Sequence, residues 1–90
     1  MTISFDWTKR DRTLAERGLD FADAELVFAG TLIEDRDERY EYGEERLVTV
    51  GLLRGRMVII VWTWRGTTRH IISMRKANDR EQRRYGKQLG

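Results

Sequence analysis

Arg46-Leu47-Val48-Thr49-Val50-Gly51-Leu52-Leu53-Arg54-Gly55-Arg56-Met57-Val58-Ile59-Ile60-Val61-Trp62-Thr63-Trp64-Arg65-Gly66-Thr67-Thr68-Arg69-His70-Ile71-Ile72-Ser73-Met74-Arg75-Lys76 is the stretch on which the fold turns. β-Branched and aromatic side chains, which pack well on a pleated surface, dominate residues 56–64 and recur in residues 46–53 and 68–76. Arg54-Gly55 and Arg65-Gly66-Thr67 separate the three runs. Gly-containing connections this short join neighbouring antiparallel strands, so the segment reads as a three-stranded meander.

Working outward, residues 31–34 suit a further short strand and residues 3–6 an edge strand. Residues 8–17 form a charged helix candidate, with Thr8 and Asp11 at its start and Gly18 as its stop. In residues 19–30, Phe21, Ala24, Leu26 and Phe28 recur near helical spacing, Asp20 can cap and Gly30 ends the run. Residues 34–45 are acidic and polar and read as a solvated loop. Beyond the meander, Asn78 and Glu81 stand three apart as a capping-box variant that opens a last helix. Arg80, Arg83, Arg84 and Lys87 spread cations over that helix, and Tyr85 is its main large group for docking. The order β-α-α-β-β-β-β-α describes one α+β domain over residues 1–90. Its expected sheet is antiparallel, of about four strands plus a short N-terminal edge strand.

The totals exclude several classes. With 90 residues, one domain is the ceiling and the core is modest, so a deep enclosed pocket is not expected. No Cys occurs and only one His, so disulfides, thiolate metal sites, a Cys nucleophile and multi-histidine metal sites all fall away. No metal or cofactor is expected. No Gly-rich phosphate loop, G-x-S-x-G elbow or dinucleotide fingerprint occurs. The N-terminus lacks the basic and apolar regions of an export signal, and the longest apolar run, residues 57–62, falls far short of the roughly 20 residues of a membrane span. A cytoplasmic protein without membrane contact is the expectation. The net charge of +2 conceals a split: residues 1–50 carry 7 basic and 13 acidic side chains, and residues 51–90 carry 10 and 2. A net of −6 is thus followed by +8, which points the C-terminal half at an anionic partner, nucleic acid first.

Strict alternation over residues 68–76 puts Arg69, Ile71, Ser73 and Arg75 on one face and His70, Ile72, Met74 and Lys76 on the other. The first set suits phosphate contact through guanidinium forks, or else solvates an exposed face or pairs with the acidic stretch. His70 is open between general base and structural residue. Trp62 and Trp64 share a strand face with Ile60 and Val58; core packing is preferred to a base-stacking platform there, and Trp7 is likewise read as core. Glu44-Glu45 offer a carboxylate base on a weak signal.

Several ordered fragments together resemble the BrnT family. They are Phe5-Asp6-Trp7 with Lys9, Gly18-Leu19-Asp20-Phe21, Ala24 to Phe28, Gly43-Glu44-Glu45-Arg46-Leu47-Val48-Thr49-Val50-Gly51, Val61-Trp62-Thr63-Trp64-Arg65-Gly66, Ile71-Ile72-Ser73-Met74-Arg75-Lys76-Ala77 and Glu81-Gln82-Arg83-Arg84-Tyr85. The resemblance implies a toxin of a bacterial type II toxin–antitoxin module with a RelE-like ribonuclease fold, which cleaves RNA, inhibits translation and is neutralised by a BrnA-type antitoxin. Operator DNA is then reached only through the antitoxin. The chain departs from the family pattern near Thr8, which stands where Asp is usual in a segment about two residues shorter than usual. It departs again at Thr13 and Arg17, where Asn and His are common, and at His70, where Arg often precedes the Ile-Ile-Ser stretch.

RNA cleavage without a metal requires a proton taken from the 2′-OH, stabilisation of the phosphorane, and a proton given to the 5′-oxygen. The expected catalytic set is Arg65, Arg69 and Arg75 for charge, with His70 and then Glu45 for proton transfer. Lys76, Arg80, Arg84, Ser73 and Tyr85 are the expected RNA contacts. A binding module that holds RNA or antitoxin on a basic sheet face, without chemistry, is the alternative.

Overall fold

The computed structural model describes residues 2–37 and 43–89. Along them run β1 (Ile3–Phe5), α1 (Trp7–Arg17), a 3-10 turn (Phe21–Asp23) that continues into α2 (Ala24–Phe28), β2 (Leu32–Arg36), β3 (Leu47–Leu53), β4 (Arg56–Arg65), β5 (Thr68–Lys76) and α3 (Asp79–Leu89). The strands form one sheet in the order β1-β5-β4-β3-β2. β2 to β5 are an antiparallel meander, with Arg54 and Gly55 both at positive φ, the hairpin geometry that matches strand twist. The sheet is nevertheless mixed, because β1 lies parallel to β5. The chain leaves β1, crosses through its helices to the far edge and returns strand by strand, so the last strand meets the first in the same direction.

Local chemistry moves several boundaries. α1 begins at Trp7, not Thr8, because the Asp6 carboxylate accepts the Lys9 amide hydrogen at 3.0 Å. Gly18 ends it in the left-handed conformation. The expected second helix is a 3-10 turn capped by Asp20 followed by a five-residue helix. β2 runs on to Arg36, so the first part of the acidic stretch is paired strand; residues 38–42 of that stretch lie outside the described residues. The expected capping box at α3 is present: Asn78 Oδ1 accepts from the Glu81 amide and Glu81 Oε1 from the Asn78 amide, both at 2.9 Å.

The two sheet faces are filled differently. On the helical face, Phe21, Ala24, Val27 and Phe28 pack onto Val58, Ile60, Trp62, Ile71 and Met74, all buried. A Cβ on Gly51 would lie 2.6 Å from Val27 Cγ1, so α2 sits against β3 only because that position has no side chain. Trp62 is wholly buried, and its indole N–H donates to Thr49 Oγ1 at 2.8 Å. The opposite face holds a smaller core of Val50, Met57, Ile59, Ala77 and Leu89, with Ile33, Val48 and Tyr85 partly covered. α3 closes that core through Leu89 as well as the expected Tyr85.

α1 buries no residue. Trp7, expected in the core, is 65% exposed and packs against the edge of Phe5 and the Arg10 guanidinium. The helix is held instead by polar links. Arg10 pairs with Asp20 at 2.7 and 3.0 Å, and Arg17 Nη1 donates to the Met74 carbonyl at 2.9 Å. The Arg10–Asp20 pair lowers the Asp20 pKa and raises that of Arg10. No helix among the described residues is long and apolar enough to cross a membrane.

Candidate functional site

The pairing of β5 with β4 slips at one position. Val61 is opposite Ser73 and Trp62 is opposite Ile71, which leaves Ile72 without a partner. One extra residue reverses the phase of every side chain beyond it. Arg69 and Ile71 therefore share the helical face with Met74 and Lys76, whereas His70 shares the α3 face with Ser73 and Arg75. Strict alternation placed Arg69, Ser73 and Arg75 together; the bulge separates Arg69 from the other two. It likewise parts His70 from Met74 and Lys76.

Arg69 is part of the helical face's architecture. Its guanidinium carbon lies 4.2 Å from the Phe28 ring centroid, 4.8 Å from Trp62 and 5.3 Å from Trp64. Trp64 packs edge-on against Trp62 and stays 49% exposed, so of the two only Trp62 is core. Lys76 is an exposed residue opposite Val58 on the same face. Neither Arg69 nor Lys76 reaches the face that carries His70.

On the α3 face, β1, β4 and β5 converge on His70. The parallel register sets Ser4 opposite His70, and Ser4 Oγ lies 2.9 Å from His70 Nδ1. Thr63 is the cross-strand neighbour on the other side, buried, with its hydroxyl donating to the Glu45 carbonyl at 2.6 Å. Arg65 follows two residues later on the same face at the exposed end of β4. The His70 pKa is lowered, first by burial and then by the positive charges of Arg65 and Lys9, against weaker opposition from Glu44 and Asp6. Burial and the two cations thus favour the neutral ring, the state a general base requires.

Glu45 does not face His70: its carboxylate lies 3.4 Å from Arg36, and Glu44 is the carboxylate whose field reaches the ring. Arg75 is tied to Glu81 of the capping box by two 2.8 Å hydrogen bonds. Ser73, Arg75 and Tyr85 line a cleft of about 290 Å³ between α3 and β2. Arg80 and Arg84 are exposed on α3, and the Arg84 guanidinium lies 5.2 Å from the Tyr85 ring centroid. Of the expected set, then, Arg65, His70, Ser73, Arg75 and Tyr85 share one face, with Arg80 and Arg84 on the adjoining helix.

Ser4 and Lys9 were missed by sequence reasoning. Ser4 sits in a three-residue strand, and nothing local announces a parallel pairing with a strand 66 positions away. Lys9 had a visible signal, a cation in the first turn of a helix, where cations are disfavoured by the backbone dipole. No group of three or more His, Asp or Glu among the described residues is arranged to hold a metal ion.

Residues 5–81 match the model of the ribonuclease toxin BrnT of type II toxin–antitoxin systems. The fold is similar to the crystal structure of the Brucella abortus ribonuclease toxin BrnT. The TM-score is 0.64 at 28% identity, over 88% of this chain and 99% of that one. No curated protein sequence matches the chain. A match over most of the length and a shared fold lead to one assignment: the chain belongs to the BrnT family of ribonuclease toxins of type II toxin–antitoxin systems.

Proposed function

We propose that the chain cleaves RNA at the α3 face, with His70 as general base and Arg65 as the principal phosphate-binding charge. The observation that carries this reading is the Ser4–His70 contact on the face shared with Arg65. With Nδ1–H donating to Ser4 Oγ, Nε2 holds the lone pair and is free to take the 2′-OH proton. The 2′-oxygen attacks phosphorus, the bond to the 5′-oxygen breaks, and that oxygen takes a proton from water. Arg65 and Lys9 neutralise the charge that develops on the phosphorane oxygens. Arg80 and Arg84 extend the positive track along α3, and Arg75 acts from the cleft wall through its pair with Glu81. No step requires a metal or a cofactor. A BrnA-type antitoxin neutralises the toxin by covering this face with carboxylates that pair Arg65 and Arg84, and the complex reaches operator DNA through the antitoxin.

Induced expression tests the assignment. Wild type is expected to arrest growth and degrade cellular RNA, and a folded R65A/H70Q double variant to do neither. If that variant still arrests growth and cuts RNA, the site lies elsewhere. Ser4→Ala is expected to lower the rate several-fold with the fold intact, because the ring loses the contact that orients it.

A further inference from the structure

We propose that the cleft between α3 and β2 is a nucleobase pocket, which holds one unpaired, amino-bearing base of the RNA beside the His70 cluster and so chooses where the strand is cut. This rests on the reading of that cluster as the cleavage site.

The floor is flat and apolar. Val48 pairs with Val61 and Val50 with Ile59, so four β-branched side chains lie side by side across β3 and β4. Such a floor offers van der Waals contact to a planar ring and nothing to a phosphate. The charged lining points the same way: Asp35, Asp37 and Glu81 face Arg36 and Arg75, an excess of one negative charge. Arg75 is moreover neutralised by Glu81 at 2.8 Å. A phosphate is repelled here, whereas the cationic groups stand outside the cleft at Arg65, Arg80 and Arg84. The cleft, at about 290 Å³, lies at the small end of ligand pockets, the size for a single base.

The polar rim supplies an edge to read. Carboxylate oxygens accept hydrogen bonds, and Asp35, exposed at the rim, presents two of them. They match the exocyclic amino groups of adenine, cytosine and guanine, as acidic side chains do when they read cytosine; uracil has no such group. Ser73 adds a hydroxyl that both donates and accepts. Tyr85, half-buried in the wall, adds aromatic surface of the kind that holds splayed bases in single-stranded RNA. Ser73 is also the link to the chemistry. It lies three residues beyond His70 on β5 with the bulge between them, at most about 10 Å along the strand, and the same bulge turns both side chains to one face. A phosphate at His70 and Arg65 thus leaves a neighbouring base within reach of the cleft.

The test maps the ends of fragments from a randomised RNA cut by wild type and by Val61→Trp, whose indole fills the cleft floor. Wild type is expected to favour adenine, cytosine or guanine over uracil by roughly tenfold at one position next to the cut. Val61→Trp is expected to lose that preference and keep the pH dependence set by His70. Folding of the variant is checked by thermal melting. A second measurement needs no variant: methyl NMR of wild type titrated with 2′-deoxy oligonucleotides, which cannot be cut. Saturable shifts at Val48, Val50, Ile59 and Val61, stronger with oligo-dC than with oligo-dT, support the pocket even if no RNA is cut, in which case only the catalytic reading falls. A wild type that cuts without base preference overturns the pocket. So do absent methyl shifts, or a folded Val61→Trp that keeps the wild-type preference. If that variant keeps the preference but no longer takes up the antitoxin, the cleft is a protein-binding groove instead.

Discussion

The two faces of the sheet use similar side chains to opposite ends. On the helical face, Trp62, Ile60, Val58, Ile71 and Met74 are sealed under Phe21, Val27 and Phe28, and the Arg69 guanidinium is held against aromatic rings. On the α3 face, Val48, Val61 and Tyr85 remain partly open and polar groups cluster at the upper end around His70. One face is closed by the chain's own helices; the other stays partly open. Arginine illustrates the difference, since Arg69 completes packing while Arg65 stands exposed at a strand end. Charge counts cannot separate these two uses, but the face on which each residue lies does.

The largest expected effect breaks the sealed face. Trp62→Ala removes a wholly buried indole and the donor to Thr49, and is expected to cost about 3–5 kcal/mol in urea denaturation. Val61→Ala, one residue away on the open face, is expected to cost about 1 kcal/mol or less; equal losses would mean that both faces are core. Next comes the chemistry. His70→Gln is expected to lower the RNA cleavage rate by ~10²–10⁴-fold with little change in stability, while Arg69→Gln is expected to lose about 1–2 kcal/mol of stability and leave the pH profile unmoved. An Arg69 variant that shifted the pH profile while fully folded would place that residue on the wrong face in our account.

A subtler measurement is the pH profile itself. His70 titrates below its ordinary 6.5, so the acid limb of kcat/KM is expected to lie below that value, the rate falling as the ring protonates. Arg65→Gln removes one of the charges that depress the ring, so the acid limb is expected to move up toward 6.5 along with a loss of rate. The stability counterpart has the same sign. The lowered folded value means that the unfolded chain binds the proton more readily, so stability falls as pH drops from 6.5 through the folded value, and His70→Gln is expected to flatten that part of the curve.

The smallest effect concerns α3. Glu81→Ala removes the reciprocal cap and the partner of Arg75, with an expected loss of about 1 kcal/mol in thermal or urea melts and a weakened base preference. An unchanged preference in that variant would detach the Arg75–Glu81 wall from base reading.

The meander was legible because its information is local: three β-rich runs and two Gly turns set β3, β4 and β5 almost to the residue. Asn78 and Glu81 announced α3 for the same reason. What escaped was set at a distance. The parallel pairing of β1 depends on where the chain returns after two-thirds of its length, and three residues carry no directional signal. The site was half legible: the cations were visible, but the Ile72 bulge decides which of them stand together. Ile-Ile-Ser carries no glycine and no break in β propensity to mark such a bulge. Trp7 misled because aromaticity predicts burial only where something lies above it, and α1 is fastened by Arg10 and Arg17 rather than by an apolar seam.

The contact between Ser4 and His70 joins positions 66 residues apart in the chain. Synthesis delivers the N-terminus first, so Ser4 emerges from the ribosome long before His70 is made. No nascent fragment that ends before His70 possesses both halves of the proposed centre. With the centre proposed above, chains truncated before His70 lack the ring that Ser4 would orient, and such fragments are expected to leave RNA uncut.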